Sequence, residues 1–143
     1  MAHYLFNHRE DHQAPGPAPR EVAAGLLGVR MWGVGADESH RDALAPGDLA
    51  LIYLAAPDRV FVGRAELASA VHDWSPSQAR VYPGVSPGGV LLTRVEEWDP
   101  AVPMASVLAE IGPSETTKAD FPAGVVRITD TEYAAALAVA ARR

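Results

Sequence analysis

The chain has no cysteine, which excludes disulfides and thiolate chemistry and fits a cytoplasmic protein without requiring one. Lysine is almost missing too. Of 12 basic residues only Lys118 is a lysine, and the arginine- and alanine-rich remainder is the composition of a GC-rich bacterial coding sequence. No run approaches the roughly 18 apolar residues that a membrane-spanning helix needs. The start, Met1-Ala2-His3-Tyr4-Leu5-Phe6-Asn7-His8, lacks the basic n-region and long apolar core of a signal peptide, so a cytoplasmic location is expected. Positive charge is also scarce, and the net charge is -6. Non-specific nucleic-acid binding works by neutralising phosphates with Lys and Arg. A chain this acidic is not expected to coat a duplex by charge alone. A single base, a nucleotide or a short strand held in a pocket by stacking and hydrogen bonds stays open.

What is present is ordinary for a folded protein. With 143 residues, 48% of them hydrophobic, the chain predicts one domain over 1–143 with enough length for a real core. Its organising stretch is Pro46 to Leu67. A Pro46-Gly47-Asp48 turn feeds the apolar run Leu49 to Leu54, a short break at Ala55 to Arg59 follows, and Val60 to Leu67 alternates around Gly63. Two strand-length runs joined by a short break predict a β-hairpin, with the first run central and buried on both faces.

In chain order, His3 to Asn7 predicts a first strand, and Ala14 to Pro19 an extended proline-rich insertion. Arg20 to Val29 has helical spacing weakened by Gly25 and Gly28, and Arg30 to Val34 is extended. Gly35 to Asp42 is a polar loop or short turn. Ala68 to Trp74 continues as strand or bend, and Ser75 to Gly89, with three prolines and three glycines, predicts an irregular loop. Val90 to Trp98 is a strand ended by Asp99-Pro100. Met104 to Ile111 is a helix, Val125 to Thr129 a last strand, and Thr129-Asp130-Thr131-Glu132 a capping box opening a helix through Ala141. The sum is an α+β fold of about five or six strands with packed helices, on a mixed or curled sheet.

Few residues carry a chemical signature. His8 and His12 have helical metal spacing but stand in a polar turn, and no metal or cofactor is expected. Gly33-x-Gly35 lacks the lysine and third glycine of a phosphate loop. Ser39, His40 and Asp42 lack a nucleophile elbow. Glu96 and Glu97 are adjacent on a strand and point to opposite faces, which is no acid/base pair. Tryptophans are more informative. Trp32 is flanked by glycine and a polar loop, and Trp74 opens the long loop, as aromatics that sandwich a splayed-out base do. Trp98 reads as a structural plug.

Leu5-Phe6-Asn7, Met31-Trp32-Gly33-Val34-Gly35, Leu44-x-Pro46-Gly47-Asp48 with Tyr53, and Phe61-x-Gly63-x-Ala65-x-Leu67 together resemble an EVE domain, of the PUA-like superfamily with the YTH and ASCH domains. The resemblance covers essentially the whole chain. It implies a PUA-like curled, barrel-like sheet and a pocket for one modified base. The implied function is a non-catalytic binding module for a modified cytosine or adenine in DNA or RNA. By this likeness Trp32 is the stacking aromatic, and Phe6 and Asn7 approach the same pocket. Gly33 and Val34 offer backbone groups to the base edge, and Trp74 is a second wall of an aromatic cage. Arg9, Arg30, Arg41 and Arg80 are the candidates for nucleic-acid backbone contacts. Trp32→Ala is then expected to weaken binding while the fold is kept. The alternatives are a small ASCH-like hydrolase of a modified nucleoside, for which Lys118 is the sole lysine, and a protein-interaction domain with an unused pocket.

Overall fold

The two apolar runs form strands β3 (Leu49–Leu54) and β4 (Val60–Leu67), paired antiparallel from Leu49↔Glu66 to Leu54↔Val60. This is the hairpin expected from the sequence. The computed structural model describes residues 1–8, 19–35, 38, 40–54, 58–82, 86–111 and 124–142. Around the hairpin stand β1 (His3–His8), α1 (Pro19–Val29), β2 (Met31–Gly33), β5 (His72–Asp73), α2 (Pro76–Val81), β6 (Gly88–Pro103), α3 (Met104–Ile111), β7 (Val125–Ile128) and α4 (Asp130–Ala141). Their sheet runs β2-β6-β4-β3-β1-β7, with β5 on the other side of β6. It is mixed, because β1 lies parallel to β3 while its other neighbour, β7, is antiparallel.

Strand alternation divides the core in two. Tyr4, Phe6, Ala50, Ile52 and Leu54 face one side and pack with Leu26 and Leu27 of α1 and with Trp32. Leu5, Leu51 and Tyr53 face the other and meet Val107 of α3 and Tyr133, Ala136 and Val139 of α4. β3 is therefore buried on both faces, as its unbroken apolar run predicted.

Two local devices fix the ends. Gly47 takes φ +92, which only glycine adopts without strain, and its N–H donates to the Leu67 carbonyl at 2.8 Å. That turn buries Asp48, whose Oδ1 accepts the Ala2 N–H and whose Oδ2 accepts the Ala45 N–H, both at 3.0 Å. The capping box is formed: Thr129 Oγ1 accepts the Glu132 N–H at 3.1 Å, and Glu132 Oε1 accepts the Thr129 N–H at 2.9 Å.

Among the described residues the sheet has seven strands, because the short β2 and β5 both join β6. Two expectations are corrected. Asp99-Pro100 does not end β6, which runs to Pro103 and pairs there with Val60. The register explains why proline is tolerated. Phe61 pairs Val102 and Gly63 pairs Glu97, so Val62 alone faces residues 98–101 and no ladder bond is asked of Pro100. Gly63 sits at this irregularity because a Cβ there would lie 2.3 Å from the Glu96 carbonyl oxygen. Finally, the proline- and glycine-rich stretch contains α2. Ser75 caps it by accepting the Gln78 N–H at 3.2 Å, the Gln78 side chain accepts the Ser75 N–H at 2.9 Å, and Pro76 opens the helix. Among the described residues no helix is long and apolar enough to cross a membrane.

Asp48→Ala would leave two backbone donors without their carboxylate, so urea denaturation should show a loss of about 1–3 kcal/mol. Burial raises the phenol pKa of Tyr4, Tyr82 and Tyr133. The unfolded chain then ionises these groups first, near pH ~10, and binds fewer protons than the folded one. Stability should therefore be flat below that pH and fall as pH rises past it, read as a melting temperature that drops in step with tyrosinate absorbance.

Candidate functional site

At the start of β6 three backbones lie unusually close. Gly89 is in register with Gly33 of β2 on one side and His72 of β5 on the other. Just past these strands the Val34 N–H donates to the Gly88 carbonyl at 3.1 Å and the Trp74 N–H to the Pro87 carbonyl at 2.9 Å. A Cβ on Gly89 would sit 2.0 Å from the Trp32 carbonyl oxygen, and one on Gly88 2.4 Å from that of His72. The absence of side chains on β6 is what allows this narrow ribbon.

An aromatic group lies beside it. Tyr82, directly after α2, packs at 4.9 Å against Trp74 with the rings tilted by 43°, and its hydroxyl reaches the Gly33 backbone, which hydrogen-bonds to it. A Cβ at Gly33 would fall 2.2 Å from that hydroxyl. Burial raises the Tyr82 phenol and the Gly33 hydrogen bond opposes it. His72 stands edge-on to Trp74 at 5.5 Å. Its Nδ1 is 3.1 Å from the Ala70 carbonyl and its Nε2 3.2 Å from Gln78 Oε1, so it ties β5 to α2. Trp74 is half-buried, and its Nε1 is buried without a hydrogen-bond partner among the described residues.

The expected pocket residues fall into two groups, with Asn7 apart from both. Trp32 is only 4% exposed and stacks on Phe6 at 5.9 Å and 24°, with Val34 in the same core cluster. Gly33 and Trp74 meet instead through Tyr82. Asn7 is buried at the end of β1, where its N–H donates to the Gly124 carbonyl at 2.8 Å. Alternation aligns it with Leu5 and with Tyr53, its partner on β3, across the sheet from Phe6. The burial of Trp32 also changes the expectation for Trp32→Ala. Removing a packed core indole costs about 3–5 kcal/mol, so that variant loses fold along with any binding.

The four arginines are scattered. Arg9 lies outside the described residues, as do His12, Ser39 and Lys118. Arg30 follows α1 at φ +60, at the end of β2 away from Gly33. Arg41 is half-buried in a single 3-10 turn, Arg41–Ala43, with Nε buried and unpartnered among the described residues and Asp42 at 4.0 Å. Arg80 is exposed on α2, its Nε on the Pro76 carbonyl at 3.3 Å, two residues from Tyr82. Glu96 and Glu97 diverge as alternation requires: Glu96 accepts from Arg64 at 3.1 Å and from Trp98 Nε1 at 2.8 Å, away from Glu97. Trp98 is buried, as a plug should be. Among the described residues no three His, Asp or Glu side chains gather as a metal set.

Sequence reasoning missed Tyr82, His72 and Glu38. Ser75-x-x-Gln78 was the available signal for α2, and through it for Tyr82 and His72. Glu38 had none. Its carboxylate accepts the Gly124 N–H at 3.0 Å and the Val125 N–H at 3.3 Å, fastening the loop after β2 to the start of β7.

Gly33→Ala should displace the Tyr82 ring and lower stability by about 1–3 kcal/mol. Adding Tyr82→Phe should recover part of that loss in thermal melts, because the nearest clashing atom is the hydroxyl.

No family model matches the chain, and no curated protein matches it. Solved structures do. A hypothetical protein from Leishmania major shares 15% identity at a TM-score of 0.67, over 99% of this chain and 96% of its own. The human THYN1 protein, solved in complex with DNA containing 5-methylcytosine, shares 12% at 0.66, over 98% of both chains. An ASCH protein from Zymomonas mobilis shares 14% at 0.55, over 96% and 95%. At these identities the likeness is one of architecture: the chain has a curled mixed sheet with packed helices like that of these solved structures.

Proposed function

We propose that the protein is a single EVE-like domain over 1–143 that reads a modified nucleobase in DNA or RNA and does not catalyse a reaction. The observation that carries this reading is the Trp74–Tyr82 pair, half-buried and set against the side-chain-free backbone of Gly33. Flat aromatic faces supply stacking, and backbone groups beside them supply hydrogen bonds to a base edge. In this reading the Trp74–Tyr82 pair together forms one wall, the Gly33–Val34 segment borders it, and Trp32 on Phe6 is the packed floor. Asn7, on the opposite face of β1 from Phe6, is the expected residue that this reading uses least. Arg80 is the best placed of the four arginines for a phosphate, with Arg9, Arg30 and Arg41 further contributors along a strand. The fold shared with a protein solved on 5-methylcytosine DNA favours a modified cytosine as the first base to test.

The test is a tryptophan-fluorescence titration with short oligonucleotides carrying modified and unmodified cytosine or adenine. Base–aromatic stacking contributes about 1–3 kcal/mol per base, so Trp74→Ala should weaken binding about ten- to a hundredfold. Circular dichroism should show the fold retained, because Trp74 lies outside the two core clusters. Equal affinity of Trp74→Ala and the parent chain for every oligonucleotide would remove the reading.

A further inference from the structure

A cavity of about 310 Å³ lies where β6 departs from β4. Its cause is the register jump. Between Phe61↔Val102 and Gly63↔Glu97, Val62 alone faces residues 98–101, and the sheet opens there. Bulges of this kind re-aim side chains and are enriched beside binding sites. Leu27, Val62 and Ala101 line the cavity with aliphatic surface. Glu97 and Asp99, two apart on β6, bring two carboxylates to it, and Arg20 of α1 brings a guanidinium. All three are exposed, and none is ion-paired among the described residues.

Opposite charges border one cavity here without pairing to each other. An apolar floor lies between them, and the three side chains together carry one positive and two negative charges. The complement is a small molecule with an aliphatic stem, one carboxylate and two cationic nitrogens. The volume stands at the small end of ligand pockets, which run from about 300 to 1,000 Å³. The geometry points to a binding site for an amino acid with a cationic, aliphatic side chain, of the lysine and ornithine class. Arg20 takes the carboxylate, Glu97 and Asp99 take the two ammonium groups, and the methylene stem covers Val62, Leu27 and Ala101. This site shares no residue with the aromatic group at Gly33 and does not depend on the base-reading proposal.

The test is a set of titrations followed by amide NMR shifts on the full chain. The probes are L-lysine, cadaverine, which lacks the carboxylate, and L-leucine, which lacks the second ammonium. Lysine should shift the amides around Val62 and residues 97–101 saturably and bind more tightly than either other probe. Exposed ion pairs are weak, so Arg20→Gln should weaken lysine binding by roughly two- to fivefold and should not weaken cadaverine binding. Glu97→Gln with Asp99→Asn should weaken both by at least as much. These are exposed side chains, and the dispersion of the same spectra checks the fold of each variant. Absence of saturable shifts at the cavity overturns the proposal. So does equal binding of lysine, cadaverine and leucine, or lysine binding that survives loss of both carboxylates.

Discussion

The structure depends on one strand. β6 pairs with β2 and β5 at its beginning and with β4 through its length, so it alone joins the narrow ribbon at Gly88 and Gly89 to the main sheet. Both of its unusual sites follow from spacing rather than from any reactive group. Where glycines remove side chains, neighbouring backbones close in and Tyr82 reaches the Gly33 backbone. Where the register slips, β6 separates from β4 and a cavity opens. Close approach and separation on the same strand produce the two candidate binding places.

The two-sided core supports that strand. α1 and the first cluster hold Trp32 and Phe6 beneath β2, while α3 and α4 cover the opposite face through Val107, Tyr133 and Ala136. Burial of each large apolar side chain contributes about 1.5–3 kcal/mol. A sheet loaded on both faces can therefore carry a ribbon end that is itself half-exposed. The arrangement divides the two indoles: Trp32 in the core holds the strand, and Trp74 at the edge is half-buried.

Local rules made much of this legible. The continuous apolar run at Leu49 to Leu54 marked the central strand, and Thr129 with Glu132 marked the start of α4. The extended reading of Arg30 to Val34 marked the segment in which β2 forms. What escaped was non-local or masked by composition. Whether Trp32 faces outward or stacks on Phe6 depends on a strand formed elsewhere in the chain. Pro100 reads as a strand terminator until the register of β4 shows that its N–H is not required. The prolines and glycines around α2 outweighed a capping box that was present in the letters. No sequence rule links Glu38 to Gly124 and Val125, since that bond exists only once both loops are in place.

The placement of β1 has a consequence for the order of assembly. It is held parallel by β3 on one side and antiparallel by β7 on the other, with His3 opposite Ile128. During synthesis β1 emerges well before β7, so the Tyr4–Phe6 segment has an open strand edge until β7 follows. Such edges are where nascent chains pair wrongly with one another, and pairings this distant along the chain also slow folding. Docking of β7 with α4 behind it is the step that closes the edge, and Glu38 then secures it.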